Sequence, residues 1–349
     1  MLKPYIQAVV EGEQLSRERA ILAMEIIMNG EASPSQIGAF LTALRIRGET
    51  DEELVGFATV MRAKSRRVRL RTDEPVLDVV GTGGDGANTF NISTTAAFVV
   101  AGAGARVAKH GNRAATSRCG SADVLEGLGV RIELAPEQVA ECVDRIGIGF
   151  MYAPTFHPAM RFAGPVRREI GIRTVFNLLG PITNPAGATH QVVGVPSDGD
   201  VTRIARVLGL LGSRHALVVH AHEGMDELGV AGPTSVAEMV MRESAWLTLY
   251  EITPEQFGLT RHGREEVRGG SVSDNVRITQ RVLTGEQGAT RAITLLNAAA
   301  ALYAADMAGS IQEGIDLAAY SIDSGAAREK LDQLVALTVR MTAGETVAA

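Results

Sequence analysis

The sequence VLDVVGTGGDGANTFNISTTAAFVVAG occupies residues 76–102 and decides the fold. Four of its first five residues are apolar, with Asp78 between them, and three are β-branched, which predicts a short buried strand rather than a helix. The glycines of residues 81–86 let the backbone adopt positive φ and bring its amide groups close to a ligand. From Asn91, hydroxyl-bearing cap residues precede a small, apolar helical pattern that Gly102 ends. A strand, a glycine loop and a helix N-terminus in this order predict a binding site for an anion.

A second strand and a second polar loop follow at short spacing. Residues 106–108 predict the strand, KHGNR occupies residues 109–113, and a polar loop then runs through Thr116 and Ser117 to Ser121. Because parallel strands end at the same edge of a sheet, two anion-binding loops predict a substrate with two separated phosphate groups. The glycine loop has neither the dinucleotide pattern G-x-G-x-x-G nor the P-loop pattern, which disfavours the usual nucleotide sites. Taken alone, it also fits a tight strand-to-helix turn without a ligand.

The composition is that of an ordinary globular protein. The 349 residues suffice for about two domains and a sizeable core. The net charge of −6 gives no electrostatic reason to bind nucleic acid or an anionic membrane. Two cysteines, Cys119 and Cys142, suit a reducing compartment, and neither a leader peptide nor a membrane-length apolar run is visible. We therefore expect a cytoplasmic protein with no nucleic-acid partner and no membrane partner.

The first part of the chain predicts helices only. Residues 1–70 contain amphipathic patterns, and capping signatures stand at Ser33 to Gln36 and at Thr50 to Glu53. We expect a small helical domain over residues 1–70, joined by helices of the larger domain, that forms a subunit interface. The alternative is that these helices only cover one side of the larger domain.

The remainder, residues 71–349, alternates strands with helices and predicts an α/β domain with a mainly parallel central sheet surrounded by helices. Further strand patterns occupy residues 149–152, 191–195 and 216–220, and a pair of edge or antiparallel strands is predicted at residues 235–240 and 246–250. The last third of the chain is alanine-rich and predicts helices.

Three motifs occur in a fixed order at short spacing: GTGGD at residues 81–85, NIST at residues 91–94 and KHGNR at residues 109–113. Together they resemble the phosphoribosyl pyrophosphate site of the anthranilate phosphoribosyltransferase family, and the resemblance extends over nearly the whole chain. It implies that the amine of anthranilate displaces pyrophosphate from C1 of 5-phosphoribosyl 1-pyrophosphate, giving N-(5-phosphoribosyl)anthranilate in tryptophan biosynthesis. The resemblance also implies a homodimer.

The same resemblance implies three sets of site residues. The phosphoribosyl pyrophosphate set comprises Gly81, Gly84, Asp85, Thr89, Asn91, Ile92, Ser93, Thr94, Lys109, His110, Gly111, Asn112, Arg113, Ala114, Ala115, Thr116, Ser117 and Ser121. The anthranilate set comprises Gly81, Asn112 and Arg167, with His110 and Pro181 lining the pocket. The metal set comprises Ser93, Asp226 and Glu227, which would hold two Mg²⁺ ions per subunit.

The residue types themselves agree with these roles but leave alternatives open. Adjacent carboxylates at Asp226 and Glu227 suit Mg²⁺, which shares its coordination with water and phosphates, and a bare acidic turn is the alternative. The nearby His220 and His222 lack further ligands at a zinc spacing, so a structural role is more typical of them.

The segment around the predicted carboxylate-binding arginine has a weaker pattern. Arg167 and its neighbour Arg168 are typical of solvated helix charges, although a planar guanidinium matches a carboxylate well. Residues 157–171 predict a helix interrupted at Pro165, and residues 173–185 predict a loop-bounded apolar run.

No side chain is an evident general base. His110 is the only imidazole in the central loops, and a neutral ring that donates to the carboxylate of anthranilate is at least as plausible as proton abstraction. Because an aromatic amine is neutral and loses its proton only as the bond forms, we expect no obligate protein base. Asp85 lies where a pyrophosphate is expected, so its carboxylate must act through water, metal or a ribose hydroxyl.

Two competing functions share this architecture. A pyrimidine nucleoside phosphorylase has a similar glycine loop but uses free phosphate, and the KHGNR motif and the Asp226 and Glu227 pair disfavour it. Nucleic-acid-binding proteins of the same fold lack the metal and aromatic-acid residues, which are present in this chain, and the acidic charge balance also disfavours that function.

Overall fold

Amphipathic helices open the chain. In the computed structural model, which describes residues 1–114 and 118–343, four helices precede the first strand: α1 (Lys3–Val10), α2 (Arg17–Met28), α3 (Pro34–Arg47) and α4 (Asp51–Lys64). Both predicted capping boxes are present, because Ser33 and Gln36 begin α3 and Thr50 and Glu53 begin α4 through reciprocal hydrogen bonds. The predicted helical start of the chain is confirmed.

A twisted sheet forms the centre of the remaining chain. Its strands are β1 (Val76–Gly81), β2 (Arg106–Gly111), β3 (Ile148–Tyr152), β4 (His190–Gly194), β5 (His215–Ala221), β6 (Thr234–Met241) and β7 (Ala245–Ile252). They lie in the order β3-β2-β1-β4-β5-β6-β7, with β1 to β5 parallel and β6 and β7 antiparallel. The mainly parallel sheet and its antiparallel pair were both predicted, and both are confirmed.

Helices cover both faces of the sheet. They are α5 (Ile92–Gly102), α6 (Ser121–Gly127), α7 (Pro136–Ile146), α8 (Ala153–Phe156), α9 (Met160–Ile170), α10 (Val175–Leu179), α11 (Asp198–Leu210), α12 (Val272–Leu283), α13 (Ala289–Ala304), α14 (Ile311–Asp323) and α15 (Ala326–Thr342). Within residues 1–114 and 118–343, no helix has the length and apolar character needed to cross a membrane.

Successive side chains along the strands pack into two separate hydrophobic cores, one on each face of the sheet. Val192 and Leu217 belong to the core shared with α5 and α13, whereas their neighbours Val193 and Val218 belong to the core shared with α1 to α4 and α9 to α11. The N-terminal helices therefore pack together with three helices of the larger part of the chain, on one face of the sheet.

Two local predictions were wrong. The helix predicted to break at Pro165 continues through it as α9, since the preceding Gly164 has no Cβ to clash with the proline ring. The hydroxyl residues Ser93 and Thr94 lie inside the first turn of α5, whose N-cap is Asn91 without a side-chain capping bond. The loop-bounded apolar run predicted at residues 173–185 is compatible with the structure, in which it contains the short helix α10.

A buried network lies at the amino ends of β4 and β5, away from the loops described below. His215 Nδ1 lies 2.8 Å from Asp306 Oδ1, and His215 Nε2 lies 3.3 Å from Glu238 Oε1. His190 Nε2 lies 3.2 Å from the other oxygen of Asp306. Burial lowers the pKa of His215, but the hydrogen bonds to Glu238 and Asp306 outweigh burial and leave this pKa above its ordinary value. His215 therefore binds a proton more tightly in the folded protein.

We expect His215→Gln to lower the melting temperature more at about pH 6 than at about pH 9. A raised folded-state pKa stabilises the protein below the unfolded pKa, and this contribution is lost as the pH rises through the folded pKa. Burial lowers the pKa of His190, which acts in the opposite direction but is present in both proteins. Calorimetry at both pH values, with His222→Gln at an exposed histidine as the control, measures the difference. A loss of equal size at both pH values would contradict this account.

Candidate active site

The strand order reverses at β1. Strands β2 and β3 lie on one side of β1, and strands β4 and β5 lie on the other side. In open α/β sheets, ligands bind outside the carboxyl ends of the strands at such a reversal. Three segments meet at this edge: the glycine loop (residues 82–90) after β1, the KHGNR loop (described at residues 109–114 and 118–120) at the end of β2, and the acidic turn (residues 222–228) after β5.

The glycine loop is bonded directly to the acidic turn. Gly83 and Gly84 have φ values of 67° and 70°, which confirms the predicted use of positive φ. The amide of Gly83 donates to Asp226 Oδ2 at 2.6 Å, and the amide of Asp226 donates to Asp85 Oδ2 at 3.3 Å. Asp85 therefore lies beside Asp226 and joins the two segments.

The N-terminus of α5 holds the second residue of the acidic pair. The amide of Ser93 donates to Glu227 Oε1 at 3.2 Å, as expected where a helix N-terminus meets a negative charge. Lys109 Nζ donates to Ser93 Oγ at 3.3 Å and also to the carbonyl oxygen of Val79. With only 3% of Lys109 exposed, its ammonium lies beneath the first turn of α5 rather than at the open edge.

Burial makes it costly for the carboxyl groups of this cluster to carry negative charge. It raises the pKa of Asp226 well above its ordinary value, and the nearby charges of Asp85 and Glu227 raise it further. Burial also raises the pKa of Glu227 to about 7, although the charge of Lys109 opposes the shift. Carboxylates that cost free energy to ionise in this way are stabilised by a bound cation.

The donor atoms fit a cation that is shared with phosphates. Among the residues that the structure describes, no three histidine, cysteine, aspartate or glutamate side chains converge into a metal site of their own. Mg²⁺ usually takes only one or two carboxylates and completes its coordination with water and substrate phosphates. The oxygens of Asp226, Glu227 and Ser93 suit that mode, whereas a closed protein site for zinc is absent from the described part of the chain.

Two glycines allow the acidic turn to approach the strand ends. A Cβ at Gly194 would lie 1.5 Å from the carbonyl oxygen of Asp226, and a Cβ at Gly81 would lie 2.4 Å from Asp226 Oδ2. The clash at Gly194 is with backbone, which cannot move aside as a flexible side chain can, so glycine is required at the end of β4. The clash at Gly81 is with the Asp226 carboxylate, which a side chain at the end of β1 would displace. Gly81, predicted as a substrate contact, therefore also makes room for Asp226.

The two histidines at the end of β5 and the start of the acidic turn, His220 and His222, do not converge. His220 Nδ1 donates to the carbonyl oxygen of Val195 at 2.9 Å. His222 Nε2 lies 2.9 Å from Ser235 Oγ and 3.2 Å from Glu251 Oε1. Their different partners agree with the structural role that the sequence favoured over a zinc site.

The KHGNR loop is closed by Asp123 at the start of α6. Asp123 Oδ2 accepts the amides of Ala114 at 2.9 Å and Gly120 at 2.8 Å. Ser121 Oγ donates to the carbonyl oxygen of Asn112 at 3.2 Å. The predicted contacts at residues 115–117 lie outside the described residues.

Arg113 is already paired. Its guanidinium donates to the Tyr152 hydroxyl at 3.1 Å, to Asp123 Oδ1 at 3.1 Å and to the carboxylate of Glu126. These hydrogen bonds raise the pKa of Arg113, and the hydrogen bond to Glu126 has the largest effect. Its predicted contact with a phosphate would have to compete with two acidic side chains.

His110 is neutral, and its tautomer is fixed by the backbone. His110 Nδ1 lies 3.3 Å from the carbonyl oxygen of Gly180, which can only accept, so Nδ1 carries the proton and Nε2 the lone pair. Burial, followed by the neighbouring His157, lowers the pKa of His110 to about 3. Nε2 is buried and has no partner among the described residues. The predicted donation from His110 to a carboxylate does not fit this tautomer, which can accept a hydrogen bond there.

Arg167 offers a guanidinium that no acidic side chain neutralises. It lies in the last turn of α9 with its guanidinium carbon 5.3 Å from the centre of the Phe176 ring. Burial lowers its pKa, and no ion pair or side-chain hydrogen bond involves it within the described parts of the chain. A half-buried, unpaired guanidinium of this kind suits a planar carboxylate.

The segment at residues 173–184 links these parts, and the sequence did not indicate the contacts of its Arg173 and Asn184. Arg173 Nη1 donates to the carbonyl oxygens of Gly83 at 2.6 Å and Gly84 at 3.1 Å. The same segment contains Phe176, whose ring lies under Arg167, and Gly180, whose carbonyl oxygen lies beside His110 Nδ1. It also contains Asn184, whose Nδ2 donates to Asp78 Oδ2 at 2.7 Å. The sequence gives one signal for it, an arginine that begins an otherwise apolar run.

Known proteins match both parts of the chain. Residues 73–328 match the profile described as "Glycosyl transferase family, a/b domain", and residues 3–65 match "Glycosyl transferase family, helical bundle domain". The anthranilate phosphoribosyltransferase of Symbiobacterium thermophilum is 53% identical over 343 residues, which cover 98% of this chain and 99% of the relative. The chain belongs to the anthranilate phosphoribosyltransferase family.

Solved structures of the anthranilate phosphoribosyltransferase family agree with this fold. The enzyme from Thermus thermophilus has a TM-score of 0.89 at 44% identity, covering 96% of this chain and 99% of its own. The Saccharomyces cerevisiae enzyme in complex with PRPP and Mg has a TM-score of 0.88 at 29% identity, covering 97% and 98%. Its complex with 4-fluoroanthranilate has a TM-score of 0.86 at 28% identity, with the same coverage. The predicted family, fold and phosphoribosyltransferase class are confirmed, and the two competing functions are not favoured.

Proposed function

We propose that this chain transfers the phosphoribosyl group of 5-phosphoribosyl 1-pyrophosphate to the amine of anthranilate, giving N-(5-phosphoribosyl)anthranilate and pyrophosphate. This is the second step of tryptophan biosynthesis from chorismate. The observation that carries the proposal is the direct bonding of the glycine loop and the α5 N-terminus to the acidic pair, through Gly83 to Asp226 and Ser93 to Glu227. The relatives named for this activity, and the yeast complexes with PRPP and Mg and with 4-fluoroanthranilate, support the two substrates.

We infer that Ser93, Asp226 and Glu227 hold Mg²⁺, two ions per subunit. When bound, Mg²⁺ would offset the charge that develops on the departing pyrophosphate. Support comes from the cluster itself, in which burial raises the pKa of both carboxyl groups and Lys109 is the one cation within reach among the described residues. The backbone hydrogen bonds to both carboxylates hold them in place before a substrate arrives.

The phosphate groups would be held by the loops that the sequence singled out. Gly84, Asp85, Thr89 and residues 91–94 are assigned to the pyrophosphate and ribose, and residues 109–117 with Ser121 to the remaining phosphate contacts. Lys109 would act through Ser93 and Glu227 rather than by direct contact, since its ammonium already donates beneath α5. Arg173 holds the glycine loop from the opposite side.

Arg167 would bind the carboxylate of anthranilate, with Gly81, Asn112 and Pro181 around the ring. The amine can then donate an N–H group to His110 Nε2, which has a lone pair and no other partner among the described residues. As the new C–N bond forms at C1, the C1–O bond breaks and its electrons leave with pyrophosphate. A group whose conjugate acid has a pKa of about 3 is a weak base, so His110 orients the amine and the substrate carboxylate can take the proton.

We also propose a homodimer formed by the helical domain, residues 1–70. Ile46 is 82% exposed and Leu22 is 49% exposed on these helices, so a subunit interface here would bury apolar surface. Equilibrium sedimentation is expected to give a dimer, and a single Ile46→Asp substitution is expected to weaken it. A monomer at micromolar concentration would contradict this proposal.

The free cysteines support a cytoplasmic location. Cys119 and Cys142 are both buried thiols in this structure, as suits a reducing compartment. Fractionation of the producing cells would test the location, and recovery of the protein outside the cytoplasm would contradict it.

The test of the activity is the fluorescence change when anthranilate is mixed with 5-phosphoribosyl 1-pyrophosphate, Mg²⁺ and the purified protein. We expect anthranilate to be consumed in proportion to product. Thymidine with phosphate serves as the comparison for the phosphorylase, and a gel shift at graded salt serves for nucleic acid. Phosphorolysis of thymidine without consumption of anthranilate would overturn the proposal.

We expect Arg173→Gln to raise the KM for 5-phosphoribosyl 1-pyrophosphate by about 10-fold, since charge-assisted hydrogen bonds of this kind contribute about 1.5–3 kcal/mol. The glycine loop would lose the hydrogen bonds at its Gly83 and Gly84 carbonyls and sample other conformations before it binds the substrate. Steady-state kinetics would measure the change, with Arg45→Gln, from the same cleft, as the control. A KM equal to that of the parent would show that the loop does not depend on Arg173.

A further inference from the structure

The backbone pairing between β1 and β2 stops early. On its other side, β1 pairs with β4 from Leu77 to Gly81. Toward β2, the register covers only Val76 with Arg106 and Leu77 with Val107. The carboxyl halves of these two central strands are therefore joined by something other than a continuous ladder, at the edge where both loops of the candidate site begin.

Asp78 joins them. Its side chain is 0% exposed, and its Oδ1 accepts the amide of His110 at 3.2 Å. Its Oδ2 accepts Nδ2 of Asn184 at 2.7 Å, and the same nitrogen donates to the carbonyl oxygen of Ala108 at 2.8 Å. A single buried carboxylate thus holds the backbone of β2 and the end of the segment at residues 173–184.

The charge of the same carboxylate also acts on Lys109, without a direct ion pair. Lys109 and His110 are consecutive in β2, so their side chains point to opposite faces of the sheet. On one face, Lys109 Nζ crosses to the carbonyl oxygen of Val79 and lies 3.3 Å from Ser93 Oγ. On the other face, His110 Nδ1 lies 3.3 Å from the carbonyl oxygen of Gly180. Asp78 is therefore hydrogen-bonded to β2 where this strand directs Lys109 to one half of the site and His110 to the other.

We propose that Asp78 is a positioning residue for both halves of the site: its hydrogen bond fixes the backbone at His110, and its charge holds the Lys109 ammonium beneath Ser93. The inference rests on the proposed function, because it assigns the His110 side to anthranilate and the Ser93 side to the pyrophosphate group. Asp78 itself touches neither substrate. It acts by setting the geometry of residues that do, and its removal should weaken both binding events at once.

The test is Asp78→Asn. The amide keeps the shape of the side chain and one acceptor oxygen for His110, but it presents a donor to the donor of Asn184 and no charge to Lys109. We expect the dissociation constants of anthranilate and of 5-phosphoribosyl 1-pyrophosphate with Mg²⁺ each to rise by roughly 10- to 100-fold. Fluorescence titration measures the first constant and calorimetry the second, each without the other substrate, so turnover plays no part.

Glu53→Gln is the matched control for burial. Glu53 is likewise 0% exposed and accepts the amides of Leu15 at 2.8 Å and Thr50 at 2.9 Å, but it lies in the helical part of the chain. We expect it to lower the melting temperature and leave both constants unchanged. An Asp78→Asn protein with parental constants and only a lower melting temperature would overturn the proposal.

A milder variant serves if Asp78→Asn does not fold. Asn184→Ala removes the bridge to Asp78 and Ala108 but keeps the buried charge beside Lys109. We expect it to weaken anthranilate binding while the pyrophosphate substrate binds as in the parent, and unchanged anthranilate binding would overturn the proposal. A parent protein that binds neither substrate would instead overturn the proposed function, before any variant is compared.

Discussion

The double variant Asp226→Ala, Glu227→Ala is expected to lose phosphoribosyl transfer by about 1000-fold and yet to be at least as stable as the parent. Activity falls because two of the three proposed metal ligands are gone, so the Mg²⁺ that would offset the charge of the leaving pyrophosphate is no longer held. Stability does not fall, because burial, followed by nearby negative charges that include Asp85, raises the pKa of both carboxyl groups, so their ionisation costs free energy in the fold. Initial rates with saturating Mg²⁺ and calorimetry at neutral pH measure the two effects.

The control for this variant is a second pair of adjacent acids. Asp51 and Glu52 lie in the first turn of α4 and form surface ion pairs with Arg206 and Arg17. Surface pairs of this kind contribute little to stability, so Asp51→Ala, Glu52→Ala should keep the parental rate and most of the parental stability. Parental activity in the Asp226 and Glu227 variant would show that these two residues are not the Mg²⁺ ligands that the reaction needs. A large loss of stability there would show that the acidic pair supports the fold.

The second large effect is expected at Arg167. Arg167→Ala should raise the KM for anthranilate by about 100-fold, since a charged hydrogen-bonding pair contributes about 1.5–3 kcal/mol. The KM for 5-phosphoribosyl 1-pyrophosphate should change much less. Arg167→Lys should not restore binding, because an ammonium group neither forks around a carboxylate nor stacks on the Phe176 ring as a guanidinium does.

Arg168→Ala is the matched control for Arg167. Arg168 is the next residue of α9 and is exposed, so its loss removes the same charge from the same helix. We expect its KM for anthranilate to equal that of the parent. If both arginine variants raised the KM equally, the effect would be one of general charge, and the assignment of Arg167 to the substrate carboxylate would be wrong.

Local patterns predicted the parts of the fold that depend on neighbouring residues. The strand at residues 76–80 follows from a run of apolar side chains, and the capping boxes at Ser33 and Thr50 from residues three apart. The break predicted at Pro165 failed although it was also a local inference. Proline removes one hydrogen bond, and tertiary packing of α9 together with Gly164 was enough to offset that loss.

The connections within the site could not be predicted in this way, because they depend on residues that are distant in sequence. Asp78 lies in an apolar strand pattern, and nothing near it indicates that its partner is Asn184, 106 residues further along the chain. The tautomer of His110 is likewise set by a carbonyl 70 residues away, at Gly180. The motifs predicted which loops meet, and the structure shows which side chains join them.

The most direct measurement is the formation of phosphoribosylated anthranilate and pyrophosphate by the parent protein, followed with Mg²⁺ present, after Mg²⁺ is chelated, and after it is added back. Our account predicts equal amounts of both products with Mg²⁺, none after chelation, and full recovery on addition. Product that forms at an unchanged rate after chelation would contradict it, because the acidic pair would then have no cation to hold.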